Sequence, residues 1–235
     1  MRETVDLSVI VPFKDESERL PRTLSAILAF FNGRGGRYEI ILVDDGSVDD
    51  TLAAIKPFLR PEVVVLRHAK NQGKGAAIRT GILFATGRRL LFMDADLSTP
   101  IEEIDALNRA LDEGFSVAIG SRCAPGAHVR EKQPSHRVLI GKIGNALIRL
   151  VLGLPYADTQ CGFKLFTREA GRMLFESLRF PRWSFDFEIL YRAKQRGYQV
   201  KEVPVEWHDA PGSKFHPVRD AVRCVIDLCR IRFSI

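Results

Sequence analysis

Through its first 120 residues the chain alternates short, nearly unbroken apolar runs with amphipathic stretches, and this alternation narrows the fold more than any other feature. Leu7–Pro12, Glu39–Asp44, Val63–Arg67, Arg89–Asp94 and Phe115–Gly120 read as buried strands. Between them, Leu20, Leu24, Ile27, Leu28 and Phe31 recur at helical spacing within 18–32. Asp49 or Asp50 can cap a helix reaching Leu59. A third helix is predicted over 74–85, and a fourth begins at Pro100, where proline suits the first turn. Strands alternating with helices at this interval predict an α/β fold, with a mostly parallel sheet covered on both faces. After residue 120 the rhythm breaks. A polar loop at 121–136 leads to an apolar helix over 138–152, a loop and short strand over 158–167, and a helix over 184–196. A strand over Val200–Trp207 and a closing amphipathic helix over 216–232 follow. The break reads as an elaboration of one domain.

In parallel sheets, ligands bind beyond the carboxyl ends of the strands. The chain places acids there. Asp44 and Asp45 end the second strand, Asp94 and Asp96 end the fourth, and Glu16 lies just past the first. Carboxylates gathered in one cleft repel each other unless a cation compensates. A hard divalent ion held by one or two carboxylates and by substrate phosphates does so. In an extended segment residues i and i+2 face the same side, so Asp94 and Asp96 can reach one metal–nucleotide complex. Asn71-Gln-Gly-Lys-Gly75 could present backbone N–H groups and Lys74 to an anion, although as an isolated motif it is equally a helix-entry turn.

Charge adds a second site. The net charge is +6 over 235 residues. From Arg122 to Arg149 there are six basic residues against one acid, Glu131, so most of the excess sits beside one apolar helix. A basic, apolar helix of this kind can lie in a membrane interface, or pack on the core with a solvated basic edge; the closing helix is weighed the same way. No apolar run approaches the roughly 18 residues that cross a bilayer. Four scattered cysteines without a CxxC pair read as reduced thiols, and five dispersed histidines make a zinc site improbable. Trp183 and Trp207 read as packing anchors, with a sugar or lipid platform as the alternative, and the histidines as polar surface or loop residues.

Val9-Ile-Val-Pro-Phe-Lys-Asp-Glu16, Val43-Asp-Asp-Gly-Ser47, Asn71-Gln-Gly-Lys-Gly-Ala76, Asp94-Ala-Asp96 and Gly120-Ser-Arg122 follow one another in an order that resembles the inverting, nucleotide-sugar glycosyltransferases of family 2, which have the GT-A fold. Asp158-Thr-Gln-Cys-Gly-Phe-Lys-Leu-Phe166, Trp183-Ser-Phe-Asp-Phe-Glu188 and Gly212-Ser-Lys214 resemble the polyprenyl-phosphate sugar synthases within it, most closely the branch that glucosylates dolichyl phosphate. The resemblance spans about residues 6 to 215. It implies a single catalytic domain over 1–235, with a nucleotide-binding half over 1–120 and an acceptor-binding half over 121–235 that carries amphipathic interface helices.

The resemblance also implies roles. Pro12, Phe13, Glu16, Asp44, Asp45, Lys74 and Ala95 would line the nucleoside pocket. Asp94 would contact the nucleotide sugar, and Asp96 would bind Mg²⁺ or Mn²⁺ with the diphosphate. Arg122 and Arg137 would hold the acceptor phosphate, Lys164 and Lys214 would neutralise phosphates, and Asp186 and Glu188 would face the donor sugar. Where mannosyl relatives have Gln two residues after the metal-binding Asp, this chain has Ser98. The implied partners are a nucleotide-sugar donor (UDP-glucose first, GDP-mannose second), a polyprenyl phosphate and an anionic membrane surface, with the chain cytoplasmic and peripheral on the inner face. Nucleic acid is not an expected partner, and no oligomeric state is implied. Rival readings are a same-fold transferase that acts on a saccharide hydroxyl and a non-catalytic, anion-binding membrane-surface module.

Overall fold

The computed structural model describes the backbone of residues 3–130, 135–210 and 217–234, and the side chains of these residues outside 135–140 and 217–218. The apolar runs become strands β1 (Leu7–Phe13), β2 (Tyr38–Asp44), β3 (Val63–Arg67), β4 (Arg89–Met93) and β5 (Val117–Ser121). Two later strands join them, β7 (Phe163–Thr167) and β8 (Val200–Pro204), in a seven-stranded sheet of order β3-β2-β1-β4-β7-β5-β8. β1 pairs in parallel with β2 on one side and β4 on the other, and β5 with β8. β7 alone in this sheet runs antiparallel to its neighbours, wedged between β4 and β5. A short second ribbon pairs β6 (His128–Val129) with β9 (Glu206–Trp207).

Alternation along each strand feeds two cores. Ile10, Ile41, Val43 and Phe92 face α3 (Lys74–Phe84), α6 (Arg168–Glu176) and α7 (Phe185–Gln195), on a side that also takes in Ile148, Leu152, Leu228 and Ile231. Val9, Val11, Leu42 and Leu91 face α1 (Leu20–Phe31) and α4 (Ile104–Asp112). Strands covered on both faces have no polar side to show, which is why they read as unbroken apolar runs. Each of Leu20, Leu24 and Ile27 is fully buried and contributes about 1.5–3 kcal/mol.

The structure departs from the sequence reading in a few places. The helix expected up to Leu59 is a single turn, α2 (Thr51–Ala54), followed by a 3₁₀ turn over Lys56–Phe58. Pro57 has no N–H to continue an α-helical ladder. Pro100 leads into a 3₁₀ turn, Ile101–Glu103, before α4 begins. The single strand expected over 200–207 divides after Pro204, with β8 completing the large sheet and β9 the small ribbon. α6 had no counterpart in the sequence reading, although Thr167 caps it by accepting from Ala170 N. Two long helices, α5 (Ser135–Leu152) and α8 (Pro217–Ser234), pack against each other at one end.

Candidate active site

Parallel pairing brings the carboxyl ends of β1, β2 and β4 to one edge, and there the chain opens a cleft of about 740 Å³. Pro12, Phe13, Glu16, Asp45, Lys74, Asp94, Ala95 and Asp96 all line it. The loop after β1 is pinned to the loop after β2: Asp15 N donates to Ser47 Oγ at 2.9 Å, Glu16 N to Thr51 Oγ1 at 2.7 Å, and Val48 N to Asp15 Oδ1 at 2.8 Å. Asp15 takes a left-handed φ of 50°, and Leu97, directly after Asp96, one of 55°. Such backbone strain in non-glycine residues persists where surrounding contacts over-determine it. Glu16 accepts a fork of two bonds from Arg19 Nε and a terminal Arg19 nitrogen, both at 2.6 Å.

Asp45 organises the glycine turn. Its carboxylate accepts from Gln72 N and Gly73 N at 2.8 Å each and contacts His68 Nδ1 at 2.8 Å. His68 is therefore a buried bridge that also reaches Thr80, not a surface residue. Gly73 has φ of 108°, and a Cβ there would stand 2.6 Å from Pro181 O. The turn can thus press against residues 181–182 and start α3 at Lys74. Asp44 is fully buried and does not line the cleft: Oδ1 accepts from Ser47 N at 2.7 Å, and Arg67 Nε lies 3.0 Å from Oδ2 without hydrogen-bond alignment.

The electrostatic centre is Asp94-Ala95-Asp96. Lys74 Nζ lies 2.5 Å from Asp94 Oδ1. Burial works against the Lys74 ammonium, but Asp94, Asp186 and Asp96 outweigh it and hold its pKa above the usual lysine value. Among the described residues Asp96 has no ion pair of its own. Its Oδ1 accepts from Ser98 N at 3.0 Å. Burial, and then the neighbouring Asp94, push its carboxyl above the ordinary range, against the pull of Ser98 and Lys74. A carboxylate kept electrostatically uncomfortable at the cleft wall fits a divalent cation. Among the described residues no group of three or more His, Cys, Asp or Glu forms a cage, so such an ion would depend on substrate phosphates for its remaining ligands.

The Asp158–Lys164 segment serves this centre from behind. Asp158 holds Arg122 in a bidentate pair at 2.6 and 2.9 Å, with the guanidinium 5.4 Å from the Trp207 ring. Burial alone would raise Asp158, but Arg122 overrides it and holds the carboxyl below its usual range. Cys161 is buried, its thiol pushed up to about 12 by desolvation and then by Asp158, so it is no nucleophile. Lys164 is fully buried, bonded to Asp186 and, at 2.6 Å, to Cys161 O. Gly162 O accepts from Asp94 N at 3.1 Å, and a Cβ on Gly162 would stand 2.0 Å from Asp94 Oδ2. Gly162→Ala is accordingly expected to push Asp94 off Lys74 and reduce turnover by about 10²-fold, within the range lost when one preorganised charge interaction is removed. Steady-state kinetics beside a thermal melt checks this; wild-type turnover in a folded variant would refute it.

Several expected site residues therefore sit away from the cleft wall. Arg122 is tied to Asp158, while Lys164 and Asp186 form a buried pair under the site. Glu188 accepts from Arg179 N, Phe180 N and Arg192 Nε, and so holds the 179–180 loop rather than a sugar. The Arg137 side chain and Lys214 lie outside the described residues. Sequence reasoning in turn missed Arg19, the Phe180–Ser184 loop and the α8 residues Arg219, Asp220, Arg223, Cys224, Asp227 and Arg230, which complete the lining. The visible signal was the arginine spacing on the closing helix.

The family model of glycosyl transferase family 2 matches residues 8–175, most of the chain. The chain belongs to this family. Among curated relatives, a dolichyl-phosphate beta-glucosyltransferase of Drosophila melanogaster is 39% identical, over 91% of this chain and 70% of the relative. That of Dictyostelium discoideum is 33% identical over 98% and 75%, and the human protein 35% identical over 97% and 75%. A solved structure shares the fold. Glucosyl-3-phosphoglycerate synthase of Mycobacterium tuberculosis, solved with Mn²⁺, UDP and glucosyl-3-phosphoglycerate, superposes with a TM-score of 0.74 at 21% identity, over 98% of this chain and 81% of that one. The GT-A architecture expected from the motifs is thus the fold of this glycosyltransferase.

Proposed function

We propose that the chain transfers glucose from UDP-glucose to the phosphate of a dolichyl or related polyprenyl phosphate, with inversion and with Mg²⁺ or Mn²⁺. The observation that carries this is the cleft floor, where Lys74 pairs with Asp94 while Asp96 has no ion pair among the described residues. Asp96 would hold the metal, and Asp94 with Lys74 would orient the nucleotide sugar. The ion, when bound, would supply charge stabilisation for the leaving diphosphate. Pro12, Phe13, Glu16, Asp45 and Ala95 would shape the nucleoside side of the same cleft.

The acceptor follows from the bases available. A hydroxyl acceptor calls for a general base near the anomeric carbon, a role that would fall to Asp186 or Glu188. Asp186 is bonded to Lys164, and Glu188 is filled by two backbone N–H groups and Arg192. Neither lines the cleft. A phosphate oxygen is already ionised at neutral pH and needs no base, so direct displacement at the anomeric carbon demands of the protein alignment and charge screening. In this reading Arg137 and Lys214 remain candidates for phosphate contacts.

Such an acceptor sits in a membrane. No helix among the described residues is long and apolar enough to cross one. α5 and α8 instead leave Ile143, Leu150 and Phe233 at 61, 82 and 85% exposure. Apolar side chains interleaved with basic ones suit the interface of an anionic membrane, so the chain would work peripherally on its cytoplasmic face.

A donor screen tests the assignment. UDP-glucose and GDP-mannose are offered with a polyprenyl phosphate or a free saccharide, with Mg²⁺, Mn²⁺ or chelator. Metal-dependent glucosyl phospholipid of inverted anomeric configuration is the expected product. Mannosyl transfer, a glycosylated saccharide or a retained configuration would overturn it.

A further inference from the structure

Cations line the cleft on both sides, and most are already neutralised. Lys74 pairs with Asp94 and Arg219 with Asp220, while Lys14 and Arg19 pair with the acids next to them on the β1 loop. Arg182, Arg223 and Arg230 also line the cleft, and none of the three has an ion pair among the described residues. Arg122, the residue expected to receive the acceptor, is committed to a bidentate carboxylate. The cleft arginines without an ion pair thus lie mainly on α8, where the one acid between them, Asp227, also lines the cleft and accepts from Ser184 Oγ at 2.7 Å.

The placement along α8 is regular. Arg223 and Arg230 are seven residues apart, which at about 100° per residue puts them within about 20° of each other on one face. Val222, Ile226 and Phe233 fall on the strip immediately beside that face and are 55, 47 and 85% exposed. An arginine row facing a polar cleft, with an apolar strip alongside it, matches a ligand that is a phosphate at one end and a hydrocarbon chain behind it. A free inorganic phosphate has no use for the strip. The donor diphosphate would have its own compensating charges, Lys74 and the cation held by Asp96. Guanidinium groups suit the phosphate end because their planar forks match phosphate oxygens bidentately.

We propose that Arg223 and Arg230 of α8, with Arg182 of the loop before α7, form the receiving site for the phosphate of the polyprenyl phosphate, and that the Val222–Ile226–Phe233 strip guides its first isoprene units. This deepens the function proposed above and rests on it.

The test uses the full chain with three acceptors: a long polyprenyl phosphate in anionic vesicles, a short soluble prenyl phosphate, and inorganic phosphate as competitor. R223Q and R230Q are each expected to raise the KM for both prenyl phosphates about tenfold, the size of a lost charged hydrogen bond, with the KM for the nucleotide sugar and UDP affinity by calorimetry unchanged. R223K and R230K recover part of the loss. I226S/F233S raises the KM for the long acceptor more than for the short one. Inorganic phosphate at the prenyl phosphate concentration does not inhibit; inhibition would mean a general anion site and would overturn the assignment. Unchanged acceptor KM in R223Q/R230Q, or a rise confined to the donor KM, would also overturn it while the wild-type activity stands. A wild-type chain that accepts no prenyl phosphate with any donor would remove the underlying function as well.

Discussion

Asp96→Ala is expected to reduce metal-dependent glycosyl transfer by roughly 10²- to 10³-fold, the rate equivalent of losing several kcal/mol of charge stabilisation on a leaving diphosphate. The same variant should be at least as stable as the parent. Asp96 is half-buried beside Asp94, and desolvation and that like charge both push its carboxyl above the ordinary range. A group in that position costs the empty fold stability, so deleting it relieves repulsion instead of breaking a support. Activity and stability should therefore move apart. Turnover with Mn²⁺ is measured beside a thermal melt, and Mn²⁺ affinity by calorimetry with UDP present. Full turnover, or unaltered Mn²⁺ affinity, would remove Asp96 from the metal role.

Lys164→Met is expected to do the reverse, unfolding the protein more than it disables the chemistry. Lys164 and Asp186 are bonded to each other with almost no solvent contact. Removing one member of a buried pair costs about 3–5 kcal/mol, a large part of the roughly 5–15 kcal/mol that a domain has. The double variant Lys164→Met/Asp186→Leu should recover most of the loss, because two well-packed apolar residues often replace a buried pair without penalty. The pH dependence has a definite sign. Burial already raises the Asp186 carboxyl, against the pull of Lys164 and Lys74, and without Lys164 it rises further. A carboxyl raised in the folded state favours folding while protonated, and that contribution fades as pH climbs through the folded pKa. The deficit of the single variant should therefore be small near pH 4 and grow toward pH 8. Urea unfolding at the two pH values decides it; a pH-independent deficit would mean that packing, not charge, is what Lys164 supplies.

Much of this architecture was legible because the sheet is buried on both faces. Val63–Arg67 is a strand as expected, and β1, β2 and β4 differ from expectation by a residue at an end. The carboxylates at those ends were legible for the same reason, since parallel strands must finish together. What the sequence did not show is which polar groups spend their charge on one another. Lys164 and Asp186 lie 22 positions apart, and nothing in either neighbourhood announces the pair. Arg122 reads as a free cation until Asp158, 36 positions away, folds onto it. The closing helix was plainly amphipathic, but which face turns to the cleft is set by its packing against α5 and the core through Leu228 and Ile231.

The reversed strand β7 has a consequence for modularity. It arrives from beyond residue 160, yet it is the one strand that joins β4 to β5. The two ends of the chain are therefore sutured rather than abutted: a cut near residue 120 would leave β4 with a raw edge and β5 without either of its partners, β7 and β8. An acceptor module exchanged between relatives would have to be spliced after Thr167, carrying the suture with the donor side. Chimeras divided at 120 would inherit a seam made of two foreign strands, a route to misfolding before any question of specificity arises.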